Sequence, residues 1–173
     1  MDVKKYLVTG AAGFIASRVA EFLLEDGHSV VGVDNLNQAY DVRMKEHRLD
    51  KLSGHSEFTF VKADISDREI LDQEDFRDQE FKAVINLAAR AGVRASVENP
   101  WVYVDTNVTG TLNLLELCQR EGISKFILAS TSSVYGAGAP LPTPEGAASD
   151  RPLQAYAASK KGAEALVHAY HHL

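Results

Sequence analysis

The 173-residue sequence has a single cysteine, no long apolar run and no excess of basic residues. One cysteine, Cys118, excludes an internal disulfide and a zinc cluster built from several cysteines, which favours a reducing, cytoplasmic location. No apolar run approaches the roughly 18 to 20 residues of a membrane span, so we expect no membrane partner. The first apolar stretch ends before Gly10 and is too short for a signal peptide. Eighteen basic residues are scattered among 24 acidic ones, and the net charge of −6 argues against a nucleic-acid partner.

The composition that remains is that of one folded domain. Hydrophobic residues make up 45% of the chain, which excludes disorder, and the length suits a single domain with a continuous core. Short strand-like apolar runs alternate with segments of helical spacing. Strands are predicted at 6–8, 29–33, 58–63, 83–88 and 125–129. Helices are predicted at 13–26, 42–52, 65–76 (a helix or helical turn), 102–121 and from 154 to the end. This alternation predicts an α/β fold, a doubly wound parallel sheet of at least five strands between two helical layers.

The turn between the first strand and the first helix carries glycines at positions 10 and 13. Its spacing is Gly-x-x-Gly-x-x-Ala, with Ala16 in the third place. Gly10 permits a tight bend, Gly13 lets the backbone approach a pyrophosphate, and the exposed N–H groups of the helix start favour negative charge. A structural turn fits the glycines alone, but the strand–turn–helix context favours a dinucleotide site.

Asp34 ends the second predicted strand, 24 residues after Gly10. A carboxylate there accepts hydrogen bonds from an adenosine ribose and repels a 2′-phosphate, which favours NAD over NADP. By itself Asp34 fits a turn residue equally well.

Tyr156 and Lys160 are four residues apart, on one face of the last predicted helix. An ammonium group beside a phenol favours the phenolate, which acts as a general base. An incidental surface pair has the same spacing. The hydroxyl residues from Ser130 to Ser133 follow the fifth predicted strand, and parallel sheets place their ligands at that edge.

Together these motifs resemble the extended short-chain dehydrogenase/reductase family, which includes nucleotide-sugar epimerases and dehydratases. The resemblance covers nearly the whole chain in order, and implies a Rossmann-type fold. It is carried by Thr9-Gly10-Ala11-Ala12-Gly13-Phe14-Ile15, Val33-Asp34-Asn35-Leu36, Asn86-Leu87-Ala88-Ala89, Asn107, Ser130 to Gly136, and Tyr156 to Lys160. Asn86 departs from the histidine that is common in relatives, and Ala16 from the third glycine.

The resemblance implies a role for each matching residue. Tyr156 would be the catalytic base, Lys160 its helper and a ligand of the nicotinamide ribose, and Thr131 the hydroxyl partner. Asn107 would be the structural and proton-relay asparagine. The implied NAD-binding set is Gly10, Gly13, Phe14, Ile15, Asp34, Asn35, Asp64, Ile65, Leu87, Ala88, Ala89, Asn107, Tyr156 and Lys160.

Within the family, dehydratases and similar decarboxylases carry an acidic residue shortly after the hydroxyl partner. This chain has Ser132 and Ser133 there, so reversible hydride transfer is favoured over elimination. Residues 34–49 and 89–100 are similar to UDP-glucuronate 4-epimerases, which implies a nucleotide-sugar substrate held by Arg94, Ser132 and Ser133. A decarboxylase or dehydratase, and an NAD-binding fragment without turnover, remain the alternatives.

Further expectations concern metals, individual side chains, oligomeric state and domain content. His168 and His172 are four residues apart on the last helix but have no third ligand, so we expect no metal. Cys118 is expected in the core, Trp101 beneath a helix start, and the apolar residues of 102–121 (Val104, Val108, Leu112, Leu115 and Cys118) near one face.

By the resemblance, helices 102–121 and 154–173 pair in a homodimer. The resemblance also implies that residues 1–173 are the NAD-binding domain without a carboxyl-terminal substrate lobe, so we expect NAD binding without turnover from these residues alone.

Overall fold

The computed structural model describes residues 2–173, which form a parallel sheet with helices on both faces. The strands are β1 (Lys5–Thr9), β2 (Ser29–Asp34), β3 (Phe58–Lys62), β4 (Ala83–Asn86) and β5 (Phe126–Leu128). The α-helices are α1 (Phe14–Glu25), α2 (Val42–Leu52), α3 (Ala95–Glu98), α4 (Trp101–Tyr103), α5 (Gly110–Glu121) and α6 (Ala155–His171). Three short 3-10 helices span Arg68–Asp72, Glu74–Phe76 and Ser132–Tyr135, and a π-helical segment, Val104–Thr109, joins α4 to α5.

The strand order is β3-β2-β1-β4-β5, with every neighbouring pair parallel. The chain winds outwards from β1 to β3 and then returns to the other side of β1 for β4 and β5. The order therefore reverses between β1 and β4, and a doubly wound sheet binds ligands in the crevice that this reversal opens. The predicted Rossmann-type fold is confirmed.

The sheet is buried on both faces, as its near-continuous apolar strands require. The consecutive residues Leu7 and Val8 of β1 are both fully buried but belong to different core clusters. Leu7 packs with Leu114 and Leu117 of α5, whereas Val8 packs with Ala16 and Ala20 of α1. Side chains alternate between the faces of a strand, so these clusters are the two interfaces of a three-layer domain.

Several predicted elements are shorter or different in the structure. The strand predicted at 83–88 ends at Asn86, which leaves residues 87–91 free to line the crevice. The segment predicted as a helix or helical turn at 65–76 is two short 3-10 helices. The backbone N–H of Glu69 donates to the Asp67 carboxylate, which caps the first of them.

The helical segment from Trp101 to Glu121 buries only part of the face that its apolar residues predict. Leu115 and Cys118 are buried as predicted, and Val108 and Leu112 are half-buried. Val104 is 44% exposed, whereas Asn107 and Thr111 are buried together with Leu114. Hydrogen bonds satisfy the buried amide and hydroxyl groups, so polar residues occupy buried positions that a pattern of apolar residues alone does not predict. The expected packing of Trp101 beneath a helix start is also wrong, since this side chain is 76% exposed.

No helix among residues 2–173 is long and apolar enough to cross a membrane.

Candidate NAD-binding and acid–base site

The glycine turn after β1 is shaped by two close backbone approaches. Gly10 has φ +71°, and a Cβ at this position would lie 3.0 Å from the backbone of Ala88. A Cβ at Gly13 would lie 2.8 Å from the carbonyl oxygen of Gly10. Helix α1 starts at Phe14, and no side chain caps its amino terminus. The N-cap residue Gly13 therefore leaves the first N–H groups of α1 without a side-chain cap, which suits a pyrophosphate. Ala16 is 2% exposed and packs in the core, as predicted for a small third residue.

Asp34 at the end of β2 uses both carboxylate oxygens to hold the walls of the crevice. Oδ2 accepts a hydrogen bond from the backbone N–H of Ala12 at 3.2 Å, and Oδ1 accepts one from Leu36 at 2.8 Å. The Lys45 ammonium lies 3.1 Å from Oδ1, and both side chains are nearly buried. Asp34 thus links the glycine turn, the loop after β2 and α2, and its charge is paired in the free protein.

A second carboxylate, that of Asp64, lies two residues after the end of β3. Asp64 accepts hydrogen bonds from the Asn35 amide at 2.7 Å and from the Ser66 hydroxyl and N–H at 2.6 and 2.9 Å. Burial raises the pKa of Asp64, but these hydrogen bonds outweigh it and hold the pKa below its usual value. Ile65 is buried against Gly110, where a Cβ would come within 2.7 Å of its side chain.

These residues line one crevice of about 300 Å³ at the carboxyl edge of the sheet. The crevice brings together nine residues of the predicted NAD-binding set: Gly10, Gly13, Asp34, Asn35, Asp64, Ile65, Leu87, Ala88 and Ala89. The other five, Phe14, Ile15, Asn107, Tyr156 and Lys160, are not among the residues that line it. The Phe14 and Ile15 side chains are 80% and 65% exposed in a groove between α1 and α2.

A buried hydrogen-bond chain runs from β1 to the helical segment that carries Asn107. The Thr9 hydroxyl donates to the Asn86 side-chain oxygen at 2.7 Å and accepts from the Ala88 N–H at 3.1 Å. The Asn86 amide donates to the Thr111 hydroxyl at 3.1 Å, which donates to the carbonyl of Asn107 at 2.7 Å. Asn86, the departure from the family pattern, therefore connects β1 to α5 through its side-chain oxygen and its amide group.

Asn107 continues this chain to the helix that carries Tyr156. Its side-chain amide donates to the Ser159 hydroxyl at 2.9 Å and to the Arg90 carbonyl at 3.0 Å, and its oxygen accepts from the Arg90 N–H at 2.8 Å. The Ser159 hydroxyl donates to the Tyr156 carbonyl at 2.8 Å. Asn107 thereby fixes α6 relative to the loop after β4.

Tyr156 and Lys160 lie on the first turns of α6, in different environments. The Tyr156 ring is half-buried, and its centroid lies 6.1 Å from that of Tyr103 in an edge-on arrangement. Lys160 is 2% exposed, and no hydrogen bond or ion pair among the described residues uses its ammonium group. Burial lowers the pKa of Lys160 to about 8, although the charge of Glu164 opposes this shift. A buried ammonium without a partner fits a site that receives an oxygen-rich ligand.

The remaining predicted site residues lie around the loop after β5. The Thr131 side chain accepts a hydrogen bond from the Ser133 N–H at 3.2 Å and caps the 3-10 helix Ser132–Tyr135. Ser133 is half-buried and Ser132 exposed. Arg94 precedes α3 with its side chain exposed and is not among the residues that line the crevice.

The family model described as GDP-mannose 4,6 dehydratase matches residues 7–173. A UDP-glucuronate 4-epimerase of Thermodesulfobacterium geofontis is 57% identical over 168 residues, which are 97% of this chain and 51% of that relative. The crystal structure of UDP-glucuronic acid 4-epimerase from Bacillus cereus with UDP-glucuronic acid and NAD has a TM-score of 0.83 at 36% identity, covering 97% of this chain and 52% of that one. A dTDP-glucose 4,6-dehydratase from Streptomyces venezuelae with bound NAD has the same TM-score at 30% identity, over 97% and 52%.

The chain belongs to the GDP-mannose 4,6 dehydratase family. These epimerases and dehydratases share the Rossmann-type fold described above. The chain spans about half the length of the curated relatives it matches.

Sequence reasoning missed three residues that contact or neighbour the predicted site residues. Lys45 pairs with Asp34, Ser159 links Asn107 to Tyr156, and Glu164 lies one turn beyond Lys160. The signal for Ser159 and Glu164 was their helical spacing from Tyr156 and Lys160, respectively. Lys45 had no such signal, since it lies on a charged surface helix.

Among residues 2–173, no group of three or more His, Cys, Asp or Glu side chains is placed to hold a metal ion. Cys118 lies in the core as predicted, where burial raises its pKa to about 12.

Proposed function

We propose that this chain supplies the NAD-binding and acid–base half of a UDP-glucuronate 4-epimerase. The single observation that carries the proposal is 57% identity to such an epimerase, over the residues that build the crevice and the Tyr156 helix. The absence of a carboxylate at Ser132 and Ser133 favours epimerisation over the elimination of the related dehydratases.

In this proposal, the crevice holds NAD through groups already in place. The N–H groups at the start of α1 bind the pyrophosphate, and Asp34 and Asn35 face the adenosine ribose. Asp64 and Ile65 lie against the adenine, and residues 87–89 run along the cofactor. Lys160 donates to the nicotinamide ribose, which supplies its buried ammonium group with the partners that it lacks. When bound, NAD supplies reversible hydride exchange with C4 of the sugar.

Tyr156 and its neighbours supply the proton transfer in this scheme. The Tyr156 phenolate removes the proton of the sugar 4-hydroxyl, and the Lys160 ammonium favours the phenolate by its charge. The Thr131 hydroxyl bridges the substrate hydroxyl and Tyr156. After the 4-keto sugar has turned over in the site, Tyr156 returns the proton to the oxygen of the opposite epimer. Arg94, Ser132 and Ser133 contact the nucleotide sugar.

The whole protein that contains this chain provides the test. It is incubated with NAD and UDP-glucuronate, and the products are separated by chromatography and weighed by mass spectrometry. We expect UDP-galacturonate, an isomer of unchanged mass. A product of lower mass would contradict the proposal and favour the decarboxylase or dehydratase alternative.

Residues 1–173 tested alone distinguish an NAD-binding domain from a complete enzyme. We expect this polypeptide to bind NAD without converting the sugar nucleotide, because the comparable relatives are about twice as long and substrate orientation can contribute roughly 7–11 kcal/mol to catalysis. Sustained product formation by these residues alone would contradict the assignment of residues 1–173 to the cofactor domain only.

We also propose a cytoplasmic homodimer that forms through the helical segment from Trp101 to Glu121 and α6. The exposed Trp101 and Val104 side chains support an interface on the first of these. Sedimentation of the parent and of Trp101→Glu should give dimer and monomer masses, respectively; a monomeric parent would contradict this pairing.

A further inference from the structure

The ammonium group of Lys160 has a carboxylate one helical turn away that the proposed reaction does not use. Lys160 is 2% exposed, and Glu164 follows it by four residues on α6. Residues at this spacing lie on the same face of a helix. The charge of Glu164 raises the pKa of Lys160, against the larger lowering by burial.

Glu164 also joins α6 to the loop after β5. The Ser130 hydroxyl donates a hydrogen bond to Oε1 of Glu164. The Lys161 ammonium donates to Oε2 at 3.0 Å and to the Ser149 hydroxyl at 2.6 Å. Ser130 is the residue immediately before Thr131, so the contact fixes the start of the loop that carries the proposed hydroxyl partner.

The surroundings of Glu164 keep it ionised. Burial raises the pKa of this carboxyl. The hydrogen bonds from Ser130 and Lys161 and the charges of Lys161 and Lys160 lower it by more, so the pKa lies below its usual value. The side chain is 31% exposed, which leaves the carboxylate partly solvated. A negative charge is therefore present beside Lys160 throughout the neutral range.

We propose that Glu164 is a positioning residue of the site, which holds a counter-charge beside the buried Lys160 ammonium and ties the Thr131 loop to α6. The role of Lys160 in NAD binding and proton transfer rests on the proposed function above, whereas the carboxylate one helical turn from Lys160 and its hydrogen bond from Ser130 are properties of the free chain.

The other titratable and charged groups near Lys160 do not replace Glu164. On α6, Tyr156 is the proposed base, and Lys161 carries a positive charge. From α4, the Tyr103 hydroxyl donates to the carbonyls of Ala91 and Gly92. Asn107 and Ser159, which also pack here, are neutral. Without Glu164, Lys160 should lose its proton at a lower pH, and the phenolate of Tyr156 would lose its neighbouring positive charge near neutral pH.

The test measures the protonation of Lys160 directly. The chain is labelled with ¹³C at lysine Cε, and the shift of each lysine is followed by NMR as pH rises. Lys160→Arg identifies the Lys160 signal by its loss. We expect the parent midpoint near 8 and a midpoint lowered by roughly half to one pH unit in Glu164→Gln. Glu164→Asp should restore most of this difference, because it keeps the charge.

Ser130→Ala is the matched control, since it removes the hydrogen bond to Glu164 but leaves the carboxylate. We expect the Lys160 midpoint in Ser130→Ala to equal that of the parent. An unchanged midpoint in Glu164→Gln, or an equal shift in Ser130→Ala, would overturn the counter-charge role. NAD titrations at several pH values are run in parallel: if the parent binds no NAD, the proposed function fails, while the Lys160 titration still decides the role of Glu164.

Discussion

The Asp34 side chain holds parts of the crevice together and is also proposed to select the cofactor. Its carboxylate holds the N–H of Ala12 and that of Leu36, and pairs with the Lys45 ammonium. The pairing reduces the negative charge that a 2′-phosphate would meet. We therefore expect discrimination between NAD and NADP to depend on Asp34 and Lys45 together, not on Asp34 alone.

We predict that the parent chain binds NAD more tightly than NADP, and that Asp34→Ala weakens or reverses this preference. The variant loses the ribose contact and leaves Lys45 as an unpaired cation beside the 2′ position, which attracts a phosphate. Calorimetric titration of both dinucleotides measures the effect. Lys45→Met serves as the opposite control and should sharpen the preference for NAD. Tighter binding of NADP than of NAD by the parent would contradict the assignment.

We expect Lys160 to destabilise the fold, because burial disfavours its ammonium form. Its pKa is lowered to about 8, chiefly by burial, so below that pH the folded protein bears the cost of a buried charge. Between about pH 8 and its usual pKa of 10.5, the unfolded chain binds a proton that the folded chain does not, and stability rises with pH.

We predict that Lys160→Met increases the free energy of unfolding near neutral pH by up to roughly 3 kcal/mol and removes this rise with pH. Urea denaturation of parent and variant at several pH values measures it. Lys161→Met, which removes a neighbouring lysine that is partly exposed and paired, should change stability little. A Lys160→Met variant less stable than the parent near neutral pH would show that the ammonium group is not a cost to the fold.

At the scale of single elements, two glycines with similar backbone angles have different tasks. Gly10 has φ +71° and Gly27 has φ +80°, so both occupy the left-handed region. A Cβ at Gly27 would meet nothing within 4 Å, whereas one at Gly10 would press on the backbone of Ala88. Gly27 therefore serves only to end α1, while Gly10 also brings β1 and the loop after β4 together.

We predict that Gly27→Ala costs about 1–2 kcal/mol of stability, the usual penalty for a left-handed non-glycine residue, and leaves NAD affinity unchanged. Gly10→Ala should cost more and also abolish measurable NAD binding, because the pyrophosphate turn must move. Thermal unfolding and NAD titration of both variants measure this. Equal effects of the two substitutions on NAD affinity would contradict a close-approach role for Gly10.

The segment between α4 and α5 joins the crevice to the Tyr156 helix through Asn107. We predict that Asn107→Ala destabilises the fold by roughly 1–3 kcal/mol, since it removes the partners of two part-buried backbone groups of Arg90 and one of the two hydrogen bonds of Ser159. It should also speed hydrogen exchange at the Arg90 N–H. Asp105→Ala, on the exposed face of the same segment, is the control. Unchanged exchange at Arg90 in Asn107→Ala would contradict the link.

At the scale of the whole molecule, local chemistry was predictable and long-range pairing was not. The glycine turn, the strand–helix alternation and the Tyr156–Lys160 spacing are encoded by neighbouring residues, so the sequence alone predicted the fold and nine of the residues that line the crevice. The Lys45–Asp34 and Glu164–Ser130 contacts depend on how α2 and α6 pack against the sheet. The burial of Asn107 and Thr111 was not predicted, because polar residues that are satisfied by hydrogen bonds occupy core positions there.

The sheet topology is what brings these separate segments together. The carboxyl ends of the parallel strands lie on one edge of the sheet. At or just after these ends are the glycine turn, Asp34, residues 87–91 and the Ser130–Ser133 hydroxyls. Helix α6 then lies against β5 and the segment that carries Asn107, which sets Tyr156 at the same edge. One crevice thereby adjoins both the cofactor groups and the proposed base.

The most direct test compares the whole protein with its Tyr156→Phe variant, using NAD and UDP-glucuronate. This substitution removes only the phenolic hydroxyl that would transfer the proton. We predict that the rate of UDP-galacturonate formation falls on the order of 10²–10⁴-fold while calorimetric NAD affinity stays unchanged. A variant that retains a rate within about tenfold of the parent would contradict Tyr156 as the base.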